Sequence, residues 1–420
     1  MTAAATPGRN AFRFLIVMVA LDMIAGSIVI PVTPALVRDL AGGDDAAGAR
    51  YVGLFVATWA LMQFVFAPIL GGLSDRFGRR PVLLLSMLGL AIDCVLMALA
   101  PTLAWLFVAR LISGAAASTM AAANAYIADV TPPDDRAARF GMLGAAWGVG
   151  FILGPALGGL LGEIGPRAPF WGAAAFCAVN LLYGLFVLPE SLPKDRRAAF
   201  SLKLSNPFGA LAYFATKPGF LTLGAIILLG GLAHQVLGST WIPYVNYRFA
   251  WPNWLLGASL ALVGACYIAV QSLLVRPFVA RFGERAAMCA GLAATALSFV
   301  VYGVSPWTWL FLAIIPIFAM GGLQEPGLQA LLTRQASPTE QGRLQGARAA
   351  LVALTAVVGP VLFTETFARS IRDWQGWAPV GLAFYMAAAM VMAALGLAVA
   401  VTGRWRRADA AVTMEANEGR

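Results

Sequence analysis

The chain has 420 residues, of which 60% are hydrophobic and only 12% are charged. Soluble domains carry about 25% charged residues, so this composition excludes a cytosolic or secreted enzyme. The net charge of +9 does not indicate nucleic acid, because the basic residues form short clusters between long apolar runs, a pattern that reflects membrane orientation.

Apolar segments long enough to cross a bilayer, roughly 20 residues each, occur twelve times in the sequence. The predicted membrane-spanning helices lie near 13–37, 51–73, 81–101, 103–126, 140–162, 169–189, 219–246, 255–280, 286–304, 307–333, 343–368 and 378–402. The first segment is longer than a signal-peptide core and no small-residue cleavage site follows it, so we expect it to be retained.

Lysine and arginine residues predict the orientation of the spans. If both termini are cytoplasmic, 22 of these residues lie on the cytoplasmic side and six on the other, with Arg110 inside a span. Positive residues favour the cytoplasm, so we predict that both termini are cytoplasmic.

The longest polar stretch divides the spans six and six. We therefore predict an N-terminal half at 1–189, a cytoplasmic linker at 190–218 and a C-terminal half with a short tail at 219–420. The linker is either merely solvated or forms a short helix on the membrane surface. The four cysteines lie in apolar runs without CxxC spacing and there is one histidine, so we expect no metal, no cofactor, no disulfide and no enzymatic activity.

The two halves overlay at a constant offset of 205 residues. The segment 76–80 falls on 281–285, Asp135 and Gly141 fall on Glu340 and Gly346, and 154–155 falls on 359–360. Parallel repeats of six helices are the architecture of transporters that move one half against the other. The repeat predicts alternating access, with a substrate site between the halves.

The loop after the second span contains a charge cluster in the sequence 71–80. Gly78 permits a tight turn, and Asp75 can pair with Arg79 or Arg80 and so latch one conformation, although the arginines alone also mark the cytoplasmic side. The predicted latch residues are Gly71, Asp75, Arg76, Gly78, Arg79, Arg80, Asp129 and Arg136.

The fifth span carries a regular series of small residues. Such spacing lets a second helix approach closely, and a proline inside the span removes a backbone hydrogen bond. These features suit a helix that slides or bends, and the motif comprises Gly141, Gly150, Gly154, Pro155, Gly158 and Gly159.

These two motifs resemble the major facilitator superfamily. The loop 71–80 is similar to the signature of that superfamily, and 141–159 is similar to its proton-antiporter signature. The chain looks most like the tetracycline/proton antiporters of the drug-efflux branch, through the stretches 61–68, 74–86, 125–129, 340–342 and 381–385 together with Phe170. The resemblance implies an all-α fold of twelve helices, transport of a small molecule against protons, and function as a monomer.

Charged residues inside the spans are functional candidates by default, because a charge in hydrocarbon costs several kcal/mol. Asp22, Asp93 and Arg110 match residues of the family's proton- and substrate-translocation machinery. Arg110 stays charged and needs an acidic partner, which either aspartate can supply. The alternative is a structural salt bridge that holds the first half together.

Several neutral polar residues in the spans are candidates for substrate binding: Gln63, Asn124, Gln235 and Gln271. Each of them either contacts a ligand or only bridges two helices. The chain departs from the tetracycline antiporters in having Tyr267 where they carry a histidine and Thr295 where they carry an aspartate. His234 and Glu325 lie elsewhere in the second half, and we expect Glu325, before Pro326, to serve as its acid, while His234 either touches substrate or only packs.

We predict a proton-coupled antiporter that exports an amphipathic small molecule. The alternative is a proton-coupled transporter of a non-drug metabolite with the same fold. A membrane enzyme lacks support, because no nucleophile or metal set is clustered in the sequence. A receptor that does not transport would not need carboxylates in its spans.

Overall fold

A computed structural model describes residues 9–117, 119–132, 135–197, 214, 218–335, 341–376 and 379–418. Most of the predicted linker, including 198–213, and the repeat residue Glu340 lie outside the described residues. The described part of the chain is helical and contains no strand. A helix satisfies all of its backbone hydrogen bonds internally, which is what a segment needs inside hydrocarbon.

Eight helices form the first part of the chain. They are α1 (Arg9–Ile28), α2 (Thr33–Leu40), α3 (Asp45–Phe77), α4 (Arg79–Leu99), α5 (Leu103–Ala116), α6 (Thr119–Val130), α7 (Arg136–Ile164) and α8 (Ala168–Val187). The carboxylate of Asp44 caps α3 by accepting hydrogen bonds from the backbone N–H groups of Ala46 and Ala47, at 2.8 and 3.2 Å. A 3₁₀ turn at Lys194–Arg196 follows α8.

The rest of the described chain contains eight further helices. They are α9 (Pro218–Phe249), α10 (Asn253–Ala269), α11 (Val275–Val304), α12 (Thr308–Ala313), α13 (Ile315–Ala319), α14 (Gln324–Gln335), α15 (Gln341–Ile371) and α16 (Leu382–Glu418). A π-helical turn at Val270–Leu274 joins α10 to α11, and a 3₁₀ turn at Met320–Leu323 precedes α14.

Among the described residues, eleven segments are long and apolar enough to span a membrane. One of them, Asn253–Val304, is 52 residues long and contains both the eighth and the ninth predicted spans. Gly283 interrupts its helical backbone with a φ of +82°. The predicted fold of twelve membrane helices is therefore confirmed, with two of them continuous through a bend.

The internal repeat appears in the backbone as well as in the sequence. Gly78, between α3 and α4, has a φ of +110°, and Gly283, its counterpart at an offset of 205 residues, also has a positive φ. Side chains other than glycine seldom adopt this conformation. Both halves therefore turn between corresponding helices on a glycine.

Three predicted spans are broken rather than continuous. The first is interrupted between α1 and α2, the fourth between α5 and α6, and the tenth between α12 and α14. In the fourth span the last described residue before the break is Ala117, with φ −72° and ψ 86°. Interrupted membrane helices bring free backbone groups and polar side chains into the protein interior.

The chain divides into two compact units. Unit 1 contains the described residues within Met1–Asn206, Ser239–Ala265 and Pro360–Ala368, and unit 2 contains those within Pro207–Gly238, Cys266–Gly359 and Arg369–Arg420. In unit 1, α1 packs against α7 and α8, and α4 packs against α5 and α8. The predicted division at 1–189, 190–218 and 219–420 stays a prediction.

Unit 2 is built around α11, which packs against α14 and α16. Its core is an aromatic cluster in which the rings of Tyr302 and Phe311 lie 4.5 Å apart and Phe384 contacts both. Aromatic packing of this kind adds about 0.5–1.5 kcal/mol per pair beyond area burial.

Candidate functional site

A buried ion pair joins α4 to α5 in unit 1. The guanidinium of Arg110 donates a hydrogen bond to the carboxylate of Asp93, and its Nη2 also lies 2.8 Å from the sulfur of Met97. The side chain of Asp93 is 1% exposed and that of Arg110 is 18% exposed. Of the two aspartates that the sequence offered as partners of Arg110, the structure selects Asp93.

Asp22 on α1 lies near this ion pair but has a different hydrogen-bond partner. Its carboxylate accepts a hydrogen bond from the hydroxyl of Thr119, the first residue of α6. The thiol of Cys177 on α8 lies near both Asp22 and Asp93. The break between α5 and α6 therefore places a hydroxyl donor beside Asp22, and the structure brings both predicted carboxylates together.

Unit 2 contains a second ion pair, between α14 and α15. The guanidinium of Arg348 donates to the carboxylate of Glu325 and, at 3.3 Å, to the side-chain oxygen of Gln329. The side chain of Glu325 is 43% exposed and that of Arg348 is 26% exposed. Glu325 was predicted as the acid of the second half, whereas its partner was not predicted.

The predicted substrate residues of unit 2 form two small groups. Nε2 of Gln271, in the π-helical turn, lies 3.2 Å from the hydroxyl of Tyr267 and 3.5 Å from the carbonyl of Gly322. The imidazole of His234 stacks on Phe318, with ring centroids 6.2 Å apart. Gln235, also on α9, packs closely against Gly359.

The remaining two predicted substrate residues belong to unit 1. Gln63 lies in α3 and is partly buried, and Asn124 lies in α6 and is exposed. Thr295, which replaces the family's aspartate, is buried and donates its hydroxyl to the carbonyl of Gly291, at 2.9 Å.

The charge cluster at the start of α4 centres on Arg79. Its buried guanidinium donates to Asp75 at 2.5 Å and to Asp129 at 3.0 Å. The predicted pairing of Asp75 is therefore with Arg79 and not with Arg80, which donates to the carbonyl of Leu185.

The other latch residues stabilise the same corner of unit 1. Gly71 and Gly78 lie in α3 and directly after it, and the guanidinium of Arg76 lies 5.2 Å from the ring of Phe77. Arg136, at the start of α7, donates to the carbonyls of Ala128 and Thr131 at 2.9 and 3.2 Å.

Helix α7 continues without interruption through Pro155. Gly150, Gly154 and Gly158 lie against α1 so closely that an added Cβ would meet its backbone carbonyl groups. Gly159 lies in the same way against the start of α10, where Nδ2 of Asn253 donates to the carbonyl of Gly162 at 3.2 Å. The predicted close approach of helices at this motif is therefore observed on two sides, whereas an added Cβ at Gly141 would meet no atom within 4 Å in the part of the chain that the structure describes.

Four polar residues that the sequence analysis missed hold elements of the described chain together. Arg348 and Glu365 are charged residues inside the predicted span 343–368, and this position could have identified them as candidates. Arg50 pairs with Glu365 at 2.9 Å, within unit 1. Glu190 accepts hydrogen bonds from the backbone N–H groups of Arg79 and Arg80, at 2.8 and 3.2 Å, and nothing in its sequence context indicated this role.

Comparison with known proteins places this geometry in a family. Residues 15–360 match the model of the Major Facilitator Superfamily. The class C tetracycline resistance protein of Escherichia coli is 40% identical over 90% of this chain and 95% of its own length. The class G protein of Vibrio anguillarum is 37% identical over 88% of this chain and 93% of its own length.

The chain belongs to the Major Facilitator Superfamily, within the tetracycline resistance proteins. Among solved structures, the nucleoside transporter NupG has a TM-score of 0.77 at 15% identity, and covers 93% of this chain and 100% of its own. The human organic anion transporter MFSD10 has a TM-score of 0.68 at 22% identity, with coverages of 93% and 99%. These two similarities concern the fold alone, and the chain is a multi-pass membrane protein of a transporter superfamily.

Proposed function

We propose that this protein is a proton-coupled antiporter that exports an amphipathic molecule of the tetracycline type from a bacterium by alternating access. One observation carries the proposal: Asp22, Asp93 and Arg110 cluster inside the spans of a chain that is 40% identical to a tetracycline resistance protein. Ionisable groups in a span are expensive and are retained where they move protons or bind substrate.

In the proposed cycle, a proton from outside neutralises a carboxylate, and proton and substrate occupy the protein in alternation. Asp22 is hydrogen-bonded to the uncharged hydroxyl of Thr119, so its protonation does not have to displace a charged partner within the described part of the chain. Protonation of Asp93 would leave Arg110 without its counter-ion, so the two charges respond to a proton together. Glu325, paired with Arg348 in unit 2, is the proposed acid of the second half.

The proposed substrate contacts are neutral and polar. The side chains of Gln63, Asn124, His234, Gln235, Tyr267 and Gln271 supply amide, hydroxyl and imidazole groups for a ligand rich in hydroxyl and carbonyl groups. The pair formed by Tyr267 and Gln271 is the best supported, because Tyr267 is exposed and one amide hydrogen of Gln271 is oriented by its hydroxyl.

The second candidate is a proton-coupled transporter of a non-drug metabolite. Tyr267 and Thr295 favour it, since they replace a histidine and an aspartate of the tetracycline antiporters. The Thr295 hydroxyl donates its hydrogen to the carbonyl of Gly291, and unlike an aspartate carboxylate it does not exchange a proton near neutral pH.

We further propose an inner-membrane location with both termini and the 190–218 linker in the cytoplasm, on the basis of the 22 basic residues assigned to that side. A cysteine introduced at Ser201 should be protected from an impermeant thiol reagent in intact cells and labelled in inverted vesicles. The chain without this substitution is the control for its four native cysteines. Labelling from outside intact cells would contradict this orientation.

The function is tested by resistance and by proton exchange together. A drug-sensitive bacterium that expresses the chain should tolerate more tetracycline, and tetracycline should release protons from acid-loaded inverted vesicles. An Asp93→Asn variant should lose both effects, while Asp39→Asn, which removes an exposed carboxylate, should keep them. Wild-type protein in the membrane with neither effect would exclude tetracycline and favour the metabolite alternative.

A further inference from the structure

One large aromatic side chain on α7 is exposed on a side of the helix that other features show to be internal. The indole of Trp147 is 42% exposed. An α-helix turns about 100° per residue, so the exposed apolar residues Val149, Leu153 and Leu160 share one side of α7. Trp147 lies on the opposite side, together with Gly154, which packs against α1. Its exposed surface therefore lies on the side of α7 opposite Val149, Leu153 and Leu160.

The same side of α7 is covered in one half of the helix and open in the other. Pro155, Gly159 and Gly162, in the C-terminal half, lie against α10 with almost no space between the backbones. By helical periodicity, Gly141 and Gly144 continue this line into the N-terminal half. A Cβ added at either glycine would meet no atom of the described residues within 4 Å. The open stretch is thus a shallow recess with a bare backbone floor beside Trp147.

The indole is held in a fixed orientation at one end of this recess. Its ring lies parallel to that of Phe151, one turn further along α7, with centroids 5.5 Å apart and an interplanar angle of 6°. Phe151 in turn contacts Gly264 of α10, still within unit 1. One face of the indole is therefore occupied by Phe151, and the other is available over the glycines.

A flat aromatic surface beside a floor without side chains fits a flat ligand. A fused-ring compound can stack on the indole and lie against the backbone at Gly144, whereas a branched or globular molecule can use only one of these surfaces. Stacked aromatic pairs contribute about 0.5–1.5 kcal/mol beyond the area they bury, which corresponds to roughly 2- to 12-fold in affinity.

We propose that Trp147 is a specificity-determining substrate residue, whose indole, supported by Phe151, stacks on a planar fused-ring substrate lying over Gly141 and Gly144. This inference rests on the proposed export function and deepens it, because it specifies the shape of the substrate. It adds an aromatic contact in unit 1 to the polar candidates described above.

The test measures binding to purified full-length variants in detergent, with tetracycline and an acridine dye as planar ligands and a bile salt as a non-planar amphipath. Trp147→Leu should weaken the planar ligands about tenfold and leave the bile salt unchanged, while Trp147→Phe should stay near wild type. Trp171→Leu, which removes an equally exposed indole from α8, is the matched control.

Gly144→Leu provides a second variant that does not depend on loss of packing. A Cβ at this position meets no atom of the described residues within 4 Å, and leucine favours a helix more than glycine does. The variant should fold normally and fill the recess, so that planar ligands bind weakly.

Equal loss of all three ligands in Trp147→Leu, or unchanged binding of the planar ligands in both variants, would overturn the proposal. Wild-type protein that binds neither planar ligand would overturn it as well. A different result would contradict the export function alone. In that case wild-type protein binds the acridine through Trp147 but confers no resistance to tetracycline and exchanges no protons for it.

Discussion

The two carboxylate–arginine pairs of the spans have the same chemistry but different surroundings. The carboxylate of Asp93 in unit 1 is almost completely buried and Arg110 is largely buried, whereas in unit 2 Glu325 is exposed and Arg348 is partly buried. A buried pair cannot lose one member without leaving an unpaired charge in a medium that solvates it poorly. An exposed pair can replace its partner with water or a ligand at little cost. The comparison indicates that the first pair stabilises the folded unit, whereas the members of the second pair can exchange each other for water or a ligand.

The largest effect should come from breaking the buried pair. Arg110→Ala leaves Asp93 as an uncompensated buried charge, which typically costs about 3–5 kcal/mol, so the amount of folded protein in the membrane should fall sharply. Arg348→Ala, in the exposed pair, should fold normally. The measurement is protein yield and thermal unfolding of both variants in detergent.

A double variant sharpens this prediction. Asp93→Asn combined with Arg110→Gln removes both charges and should recover much of the folding, although not the transport. If Arg110→Ala unfolds at the wild-type temperature, water has access to Asp93 and the distinction between the two pairs is wrong.

Asp22→Asn should abolish proton-driven transport without affecting stability. Asp22 is bonded to the hydroxyl of Thr119, and an asparagine side chain keeps the acceptor oxygen for this hydrogen bond while it cannot exchange a proton. The measurement is proton-driven uptake into inverted vesicles beside thermal unfolding. Loss of stability as large as in Arg110→Ala would show that Asp22 also balances Arg110.

Glu325→Gln should have an intermediate effect. Because its pair with Arg348 is exposed, the neutral side chain should change substrate affinity by no more than about fivefold, while export driven by a proton gradient is lost. Downhill exchange of substrate should persist, and Glu284→Gln, on α11 of the same unit, is the control variant. Full gradient-driven export by Glu325→Gln would leave proton coupling to unit 1 alone.

The smallest effect is expected for Asp75→Asn. The carboxylate of Asp75 is half-exposed, and Arg79 retains its second partner, Asp129. Because the carboxylate that is lost is half-exposed and its partner stays paired, the cost should be small, about 1 kcal/mol, and the transport rate should fall only a few-fold at normal expression. Asp129→Asn, which removes the more buried partner, should reduce it further, and the opposite ranking would show that Asp75 acts in a second conformation.

The sequence predicted most of the fold, because a bilayer imposes a length and a composition on each span. It also identified Asp93, Arg110 and Glu325 as candidates, because charged residues in apolar runs are easily recognised. It did not predict which aspartate Arg110 contacts, since both spans containing the candidates pass near it. Arg348 was included among the 22 cytoplasmic basic residues although it lies inside the predicted span 343–368. It is close to the boundary of this span, where hydropathy changes gradually.

The interruptions of the spans were also missed, for a physical reason. The break after Ala117 contains no proline, and the residues around it are small, so neither composition nor periodicity distinguishes it from continuous helix. The hydrogen bond from Thr119 to Asp22, which depends on this break, is set by tertiary packing.

Glu190 has a consequence for how the chain can be divided. Its carboxylate binds the backbone of Arg79 and Arg80 at one side, and the N–H groups of Ser191 and Leu192, both at 3.0 Å, at the other. All four hydrogen bonds lie within the first 192 residues. A gene cut after codon 192 therefore yields a fragment that contains the carboxylate that binds the backbone after the turn at Gly78. A cut two codons before Glu190 would place this carboxylate on the second polypeptide and the turn at Gly78 on the first. Complementation between two separately translated pieces should therefore depend on which side of Glu190 the cut is made.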